Sequence, residues 1–224
     1  MYIKQGAYLA RIALRHPQQL RHFARWRATL ASDYLLAAGK PWIVFDAADR
    51  LSTRVQPGDR VFEYGSGGST LFWLGLGARV VSIEHDPAWF ARLKPLLDGR
   101  DIEYRLVGPE QRAPHTTSDP ARWEDYASDD PAYHGMQFRR YVEQIDSFPD
   151  AAFDIVLVDG RSRTACLAHA IRKLAPGGML VLDNAERVYY TERLTTQLAG
   201  LRVERYVGLG PCLNWMWQTN IYVK

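Results

Sequence analysis

Beyond about residue 57 the hydrophobic residues fall in short runs separated by stretches of helical spacing, and this alternation sets the expected fold. The runs are Val61 to Tyr64, Val80 to Ile83, Ile102 to Val107, Ile155 to Val158 and Met179 to Leu182. They are too short for buried helices and rich in β-branched residues, as strands buried on both faces are. Between them, Thr70 to Leu76, Pro87 to Leu97, Gln137 to Ser147 and Ser162 to Leu174 repeat apolar residues at helical period. Such alternation predicts a mostly parallel α/β sheet with helices on both faces. The tail differs: Leu201 to Val207 and Trp215 to Val223 are separated only by Gly208 to Asn214. That linker is too short for a crossover helix, so the two runs are expected to pair as an antiparallel C-terminal hairpin at the sheet edge.

The first 56 residues have a helical texture. Ile3, Ala7, Ala10 and Leu14 recur on one face with Lys4, Arg11 and Arg15 beside them, which predicts an amphipathic helix stopped near Pro17. A second helix is expected from Gln18 to Ala38, ended by Gly39 and Pro41. Ile43, Val44, Ala47, Ala48 and Leu51 suggest a third, before a Pro57-Gly58 turn. The chain is therefore divided into an N-terminal helical extension, 1–56, acting as a cap or arm, and an α/β domain, 57–224, interrupted by a long polar insertion at 108–136.

A chain of 224 residues, 47% hydrophobic, is long enough for one such domain and its extension. The net charge of +3 gives no global field directed at nucleic acid, and no nucleic-acid partner is expected. It hides an asymmetry: Lys4, Arg11, Arg15, Arg21, Arg25 and Arg27 stand in the first 30 residues without an acid, leaving the rest of the chain at −3. This basic arm is read as a structural cap or substrate lid in preference to a peripheral membrane contact, since its Ala-rich face buries little area. Two cysteines, Cys166 and Cys212, form no CxxC and point to a reducing compartment. Charges interrupt the N-terminus too early for a signal peptide, and no apolar run approaches the roughly 18 residues of a membrane span. The expected localisation is cytoplasmic.

The strand Arg60 to Tyr64 runs directly into Gly65-Ser66-Gly67-Gly68-Ser69-Thr70, where missing Cβ atoms let backbone approach a ligand before a helix begins. A dinucleotide fingerprint would need a glycine at Thr70, and a P-loop would need Gly-Lys-Ser/Thr. Glu63, two positions before the first glycine, repels a pyrophosphate and attracts an ammonium group. Glu84 follows twenty-one residues after Glu63, just past the next strand, where a carboxylate accepts ribose hydroxyls. Glu84 also reads as an acid at the N-terminus of the helix that begins at Pro87.

Glu63-Tyr-Gly-Ser-Gly-Gly-Ser-Thr70, Glu84-His-Asp86, Phe153-Asp-Ile-Val-Leu-Val-Asp-Gly160 and Leu174-Ala-Pro-Gly-Gly-Met-Leu-Val-Leu-Asp-Asn184 resemble motifs I, II, IV and the post-motif strand of class I S-adenosylmethionine-dependent methyltransferases. The resemblance covers about residues 57–224, including the terminal hairpin that NAD-binding domains lack. It implies a Rossmann-like seven-stranded sheet in the order 3-2-1-4-5-7-6, with S-adenosylmethionine across the carboxyl ends of strands 1, 2 and 4. The cofactor-binding set implied is Glu63, Gly65, Ser66, Gly67, Gly68, Ser69, Thr70, Glu84, His85 and Asp159.

Asp159 ends the fourth strand, and Asp183 and Asn184 end the fifth, so three oxygen ligands are expected to converge. They are similar to the Asp, Asp-Asn magnesium triad of catechol-type and sugar O-methyltransferases, with Gly160-Arg161 where the catechol type places a lysine. The alternative is that Asp183 or Asn184 caps the next helix with help from Glu186. The insertion offers Trp123, Tyr126, Tyr133, His134 and Arg139 with Asp119, Asp125, Asp129 and Asp130 for an acceptor pocket, His134 and Asp159 being the candidate catalytic groups. The leading expectation is methyl transfer to a hydroxyl of a small molecule or sugar, assisted by Mg²⁺. Metal-free transfer to nitrogen or carboxylate, and a silent adaptor with the same fold, are the alternatives. RNA methylation is disfavoured by the lack of an Asn-Pro-Pro-Tyr/Phe signature.

Overall fold

A computed structural model describes residues 12, 14–31 and 33–224. Nine strands are present among them: β1 (Arg60–Tyr64), β2 (Arg79–Glu84), β3 (Ile102–Leu106), β4 (Glu110–Gln111), β5 (Met136–Gln137), β6 (Phe153–Val158), β7 (Leu174–Asp183), β8 (Arg202–Gly208) and β9 (Trp217–Val223). Seven of them form one sheet in the order β3-β2-β1-β6-β7-β9-β8, and β4 and β5 form a separate small ribbon. Leaving out that ribbon, the order is the expected 3-2-1-4-5-7-6. The first five strands of the large sheet pair in parallel, and β9 pairs antiparallel to both β7 and β8.

The strands read as continuous apolar runs because each face of the sheet has its own core. Phe62, Tyr64, Val156 and Val158 point to a cluster with Phe138, Tyr141, Ile145 and Leu167. Their neighbours Val61, Ile155 and Leu157 point to another with Ile43, Leu51, Phe72 and Trp73. Alternate Cβ atoms leave a strand on opposite faces, so burying both removes any polar alternation.

The helices are α1 (Phe23–Ala28), α2 (Tyr34–Ala37), α3 (Phe45–Arg54), α4 (Gly68–Gly75), α5 (Pro87–Leu93), α6 (Arg139–Val142), α7 (Arg163–Ala170) and α8 (Thr195–Leu198). The expected helix over 18–38 is instead three pieces: a 3-10 helix Pro17–His22, α1 and α2. The Thr29 hydroxyl donates back to the Trp26 carbonyl at 2.6 Å, and Asp33 takes a left-handed φ of 59°, so the chain turns between α1 and α2. The first amphipathic helix lies mostly outside the described residues, apart from Ile12, Leu14 and Arg15.

The described part of the extension is anchored on the β8–β9 side. Gln19 accepts from the Leu209 amide at 2.9 Å, Trp26 Nε1 donates to the Leu213 carbonyl at 2.6 Å, and Thr29 accepts from the Cys212 amide at 2.8 Å. Arg21 pairs with Asp46 and Arg25 with Asp49, each at 2.6 Å, so two charges of the basic arm are answered by α3. No described helix is long and apolar enough to cross a membrane.

Candidate active site

The turn after β1 carries the glycine loop, and β6 runs beside it. Gly65 has a φ of 92°, and a Cβ there would lie 2.8 Å from Gly160 Cα, so only glycine lets these two strand ends cross. Gly67 faces open space bounded by Trp89 at 3.9 Å. Between this loop and the extension lies a cavity of about 240 Å³, lined by Ser66, Gly67, Gly68, Ser69, Trp89 and Asp159 on one side. Thr29, Tyr34, Leu35, Leu36, Trp42 and Cys212 are among the residues on the other.

Glu63 lies beneath the loop and is fully buried. The β1–β2 register sets Ser82 directly opposite, and its hydroxyl donates to Glu63 at 2.7 Å. The Thr70 hydroxyl donates at 2.5 Å and Trp73 Nε1 at 3.3 Å. Burial pushes the Glu63 carboxyl up to about 7. The carboxylate tethers the loop from below, through Thr70, which also accepts from the Gly67 amide at 3.0 Å.

Glu84 lies at the end of β2, only 2% exposed. It accepts from the amides of Ser66, His85 and Asp86 at 3.1, 2.7 and 2.8 Å, and from the Ser66 hydroxyl at 2.7 Å. Burial opposes its charge, but hydrogen bonds and the nearby His85 prevail and hold it at about 2. Glu84 Oε2 is thus taken by Ser66 and Oε1 by the amides of His85 and Asp86. The Ser66 hydroxyl also bonds Tyr104 Oη at 2.8 Å, while the Ser66 carbonyl accepts from Trp89 Nε1 at 2.9 Å. The acid at the N-terminus of α5 is Asp86, which accepts from the amides of Ala88 and Trp89, so the capping alternative for Glu84 is filled by its neighbour. His85 Nδ1 is 2.9 Å from Glu84 without hydrogen-bond alignment, and its ring packs on Tyr133, Phe138 and Tyr141.

At the ends of β6 and β7 the expected metal triad is not free to coordinate. Asp159 accepts from Arg163 at 2.9 Å, and the same guanidinium donates to the carbonyls of Gly160 at 3.1 Å, Asp183 at 2.6 Å and Asp159 at 2.9 Å. Asp183 Oδ1 faces β9, accepting from Trp217 Nε1 at 3.0 Å and from Thr219, its register partner, at 2.6 Å. Burial and the neighbouring Asp159 push the Asp183 carboxyl up to about 8. Among the described residues, a group of three His, Cys, Asp or Glu side chains with metal-ligand spacing occurs only at His22, Asp46 and Asp49, where Arg21 and Arg25 engage the aspartates. Both carboxylates of the expected triad therefore already accept from protein donors, and a buried arginine supplies positive charge between the strand ends.

The capping alternative also fails: Asn184 has a φ of 52°, the next element is a 3-10 turn at Val188–Tyr190 without a side-chain cap, and Glu186 accepts from the Gln218 amide at 3.0 Å.

The insertion was expected at the acceptor pocket, yet none of its residues lines the cavity. It packs on α7 instead: Thr164 donates to the Pro120 carbonyl at 2.6 Å, Tyr126 meets His169 at 3.3 Å, and Trp123 faces His169 and Arg172. Asp125 is buried, accepting from the Thr117 hydroxyl and the Asp119 amide. Arg139 stacks on Tyr126, Tyr133 packs against Phe138, Asp129 pairs with Arg187, and Asp130 pairs with Arg161. His134 is exposed and outside the cavity.

The fold is that of the class I methyltransferases, and solved structures share it over nearly the whole chain. An O-methyltransferase from Bacillus cereus, solved in complex with SAH, is 17% identical with a TM-score of 0.51, covering 97% of this chain and 90% of that one. A Klebsiella pneumoniae protein, provisionally assigned as an O-methyltransferase, is 18% identical with a TM-score of 0.54, covering 92% of this chain and 98% of that one. No protein-family model matches the sequence, and no curated protein does.

Proposed function

We propose that this chain is an S-adenosylmethionine-dependent methyltransferase acting on the hydroxyl of a small, largely apolar molecule without a metal ion. The observation that carries the reading is the cavity enclosed by the glycine loop, Asp159 and the extension, at the carboxyl edge of β1 and β6 where this fold holds ligands. The open space at Gly67 and the backbone of residues 66–69 suit a close-lying cofactor, with Glu84 as its ribose anchor once Ser66 yields. The cofactor, when bound, supplies a methyl group already activated on a sulfonium. What remains for the protein is to align an acceptor and exclude water.

Trp42, Tyr34, Leu35 and Leu36 offer the acceptor apolar walls, which favours an apolar or aromatic molecule over a sugar. The cavity has two carboxylates, and Asp33 is tied to Arg92 at its rim. Asp159 is left as proton acceptor, its affinity for a proton raised by burial and moderated by Arg163 and Arg161. Arg163 carries no local sequence signature of its role. It fixes Asp159 and the β6 and β7 ends through four hydrogen bonds, supplying positive charge where a metal was expected.

The test is cofactor binding by calorimetry, followed by turnover on a panel of phenolic and aliphatic alcohols with and without EDTA. Asp159→Asn should lower kcat by about 10²–10⁴-fold while cofactor affinity changes little. Lack of cofactor binding in the unmodified chain would remove the reading, and activity lost in EDTA and restored by Mg²⁺ would remove its metal-free part.

A further inference from the structure

The extension leaves a group of large apolar side chains in solvent. Leu20 is 53% exposed and Phe23 43%, one turn apart across the 3-10 helix and the start of α1, and Leu30, in the turn that follows α1, is 55% exposed. Phe23 stacks on Trp26 with centroids 5.5 Å apart, and Trp26 bonds the Leu213 carbonyl two residues before Trp215, itself 46% exposed. Leu30 follows Thr29, whose hydroxyl accepts from the Cys212 amide on the same loop. Trp42, 47% exposed, lines the cavity together with Thr29 and Cys212. The exposed apolar residues thus belong to the extension and to the 209–216 loop to which it is hydrogen-bonded, and Trp42 among them lines the cavity. Single exposed apolar residues are ordinary in a soluble protein, but contiguous ones at a pocket mark an interaction surface.

The charge carried by this part of the extension is positive, and the acid at the cavity rim, Asp33, is paired with Arg92. Between residues 12 and 32 the chain has no Asp or Glu. Arg21 and Arg25 pair with α3, whereas Arg15, Arg27 and Lys40, all exposed, pair with no carboxylate among the described residues. Aromatic and leucine side chains flanked by unpaired cations are what binds a surface of anionic lipid: the rings enter the headgroup boundary and the cations meet the phosphates. A soluble protein partner would instead have to match both a basic rim and aromatic knobs spread over three segments.

We propose that this face docks on an anionic membrane surface, with the mouth of the cavity turned toward the lipid. The proposal is independent of the methyl-transfer reading, since it concerns the exposed face and not the chemistry within the cavity.

The experiment is co-sedimentation of the full chain with vesicles of phosphatidylglycerol and phosphatidylcholine, and with phosphatidylcholine alone, across a salt series. Binding to the anionic vesicles only, weakening as salt rises, is the expected result. Arg15→Gln and Arg27→Gln should each weaken it about fivefold, from roughly 1 kcal/mol per basic residue near a charged surface. The combined Phe23→Ala, Trp42→Ala and Trp215→Ala variant should weaken it at least tenfold. If that variant fails to fold, the arginine variants and the salt series decide the matter alone. No binding to anionic vesicles, equal binding to neutral ones, or a concentration-dependent dimer abolished by the aromatic substitutions would overturn the proposal.

Discussion

The two sides of the glycine loop are each held by a buried glutamate, and the two are tuned in opposite directions. Below the loop, Glu63 meets two hydroxyls and an indole, neutral donors that do not offset its desolvation, and its carboxyl moves up to about 7. Beside the loop, Glu84 meets three backbone amides, a hydroxyl and a histidine, and its carboxyl falls to about 2. Equal burial therefore does not give equal charge. The donor set decides, because amides fixed at a strand end are already oriented toward an anion, whereas hydroxyls also satisfy a neutral acid. Glu84 is thus held ionised beside the loop, while Glu63 beneath it is drawn toward the neutral acid.

The largest effect that sharpens this contrast is on cofactor affinity. Glu84→Ala should weaken binding ten- to a hundredfold, about 1.5–3 kcal/mol, measured by calorimetry. Equal affinity in the two proteins would place the ribose elsewhere.

Next comes the pH dependence of stability. Glu63 titrates in the folded chain above its ordinary value, so it costs nothing at pH 4.5 and destabilises progressively as pH rises through about 7. The melting temperature of Glu63→Gln should accordingly gain on that of the unmodified chain across this window, by the equivalent of about 2 kcal/mol. Glu84 gives the opposite sign, its contribution being present above pH 4.5 and lost as pH falls toward 2. A Glu63→Gln profile parallel to that of the unmodified chain between pH 4.5 and 7 would refute the assigned tuning.

The smallest effect concerns Ser66, whose hydroxyl occupies Glu84. Ser66→Ala should tighten cofactor binding by about threefold or less, within the 0.5–1.5 kcal/mol net worth of one hydrogen bond. Weaker binding would instead make that hydroxyl a ligand contact.

The positions of both glutamates were legible in the sequence because strand ends and glycine turns have local signatures. Their partners were not, because Ser82 faces Glu63 through strand register and Ser66 reaches Glu84 through the loop's path, both tertiary facts. The sheet was legible to its edge hairpin, since burial on both faces writes itself into every strand. The helix expected over 18–38 was misread where Thr29 and Asp33 break it, residues whose propensities alone do not announce a turn. Arg163 opens α7 with nothing in its neighbours to distinguish it, and only the convergence of β6 and β7 makes it central. Aromatic richness in the insertion suggested a ligand pocket, but those rings cover α7.

Gly68 begins α4, and a Cβ there would lie 2.1 Å from the Lys40 carbonyl and 2.8 Å from that of Leu35. The extension therefore rests backbone against backbone on the cavity's glycine-loop wall. That wall is main chain on both sides, so no side-chain rotation widens it, and the space between loop and extension grows only if the 34–40 backbone moves. On the proposed function, loosening the 34–40 segment should therefore speed exchange of the bound cofactor more than it changes the cofactor's affinity, because the segment carries none of the groups proposed to react.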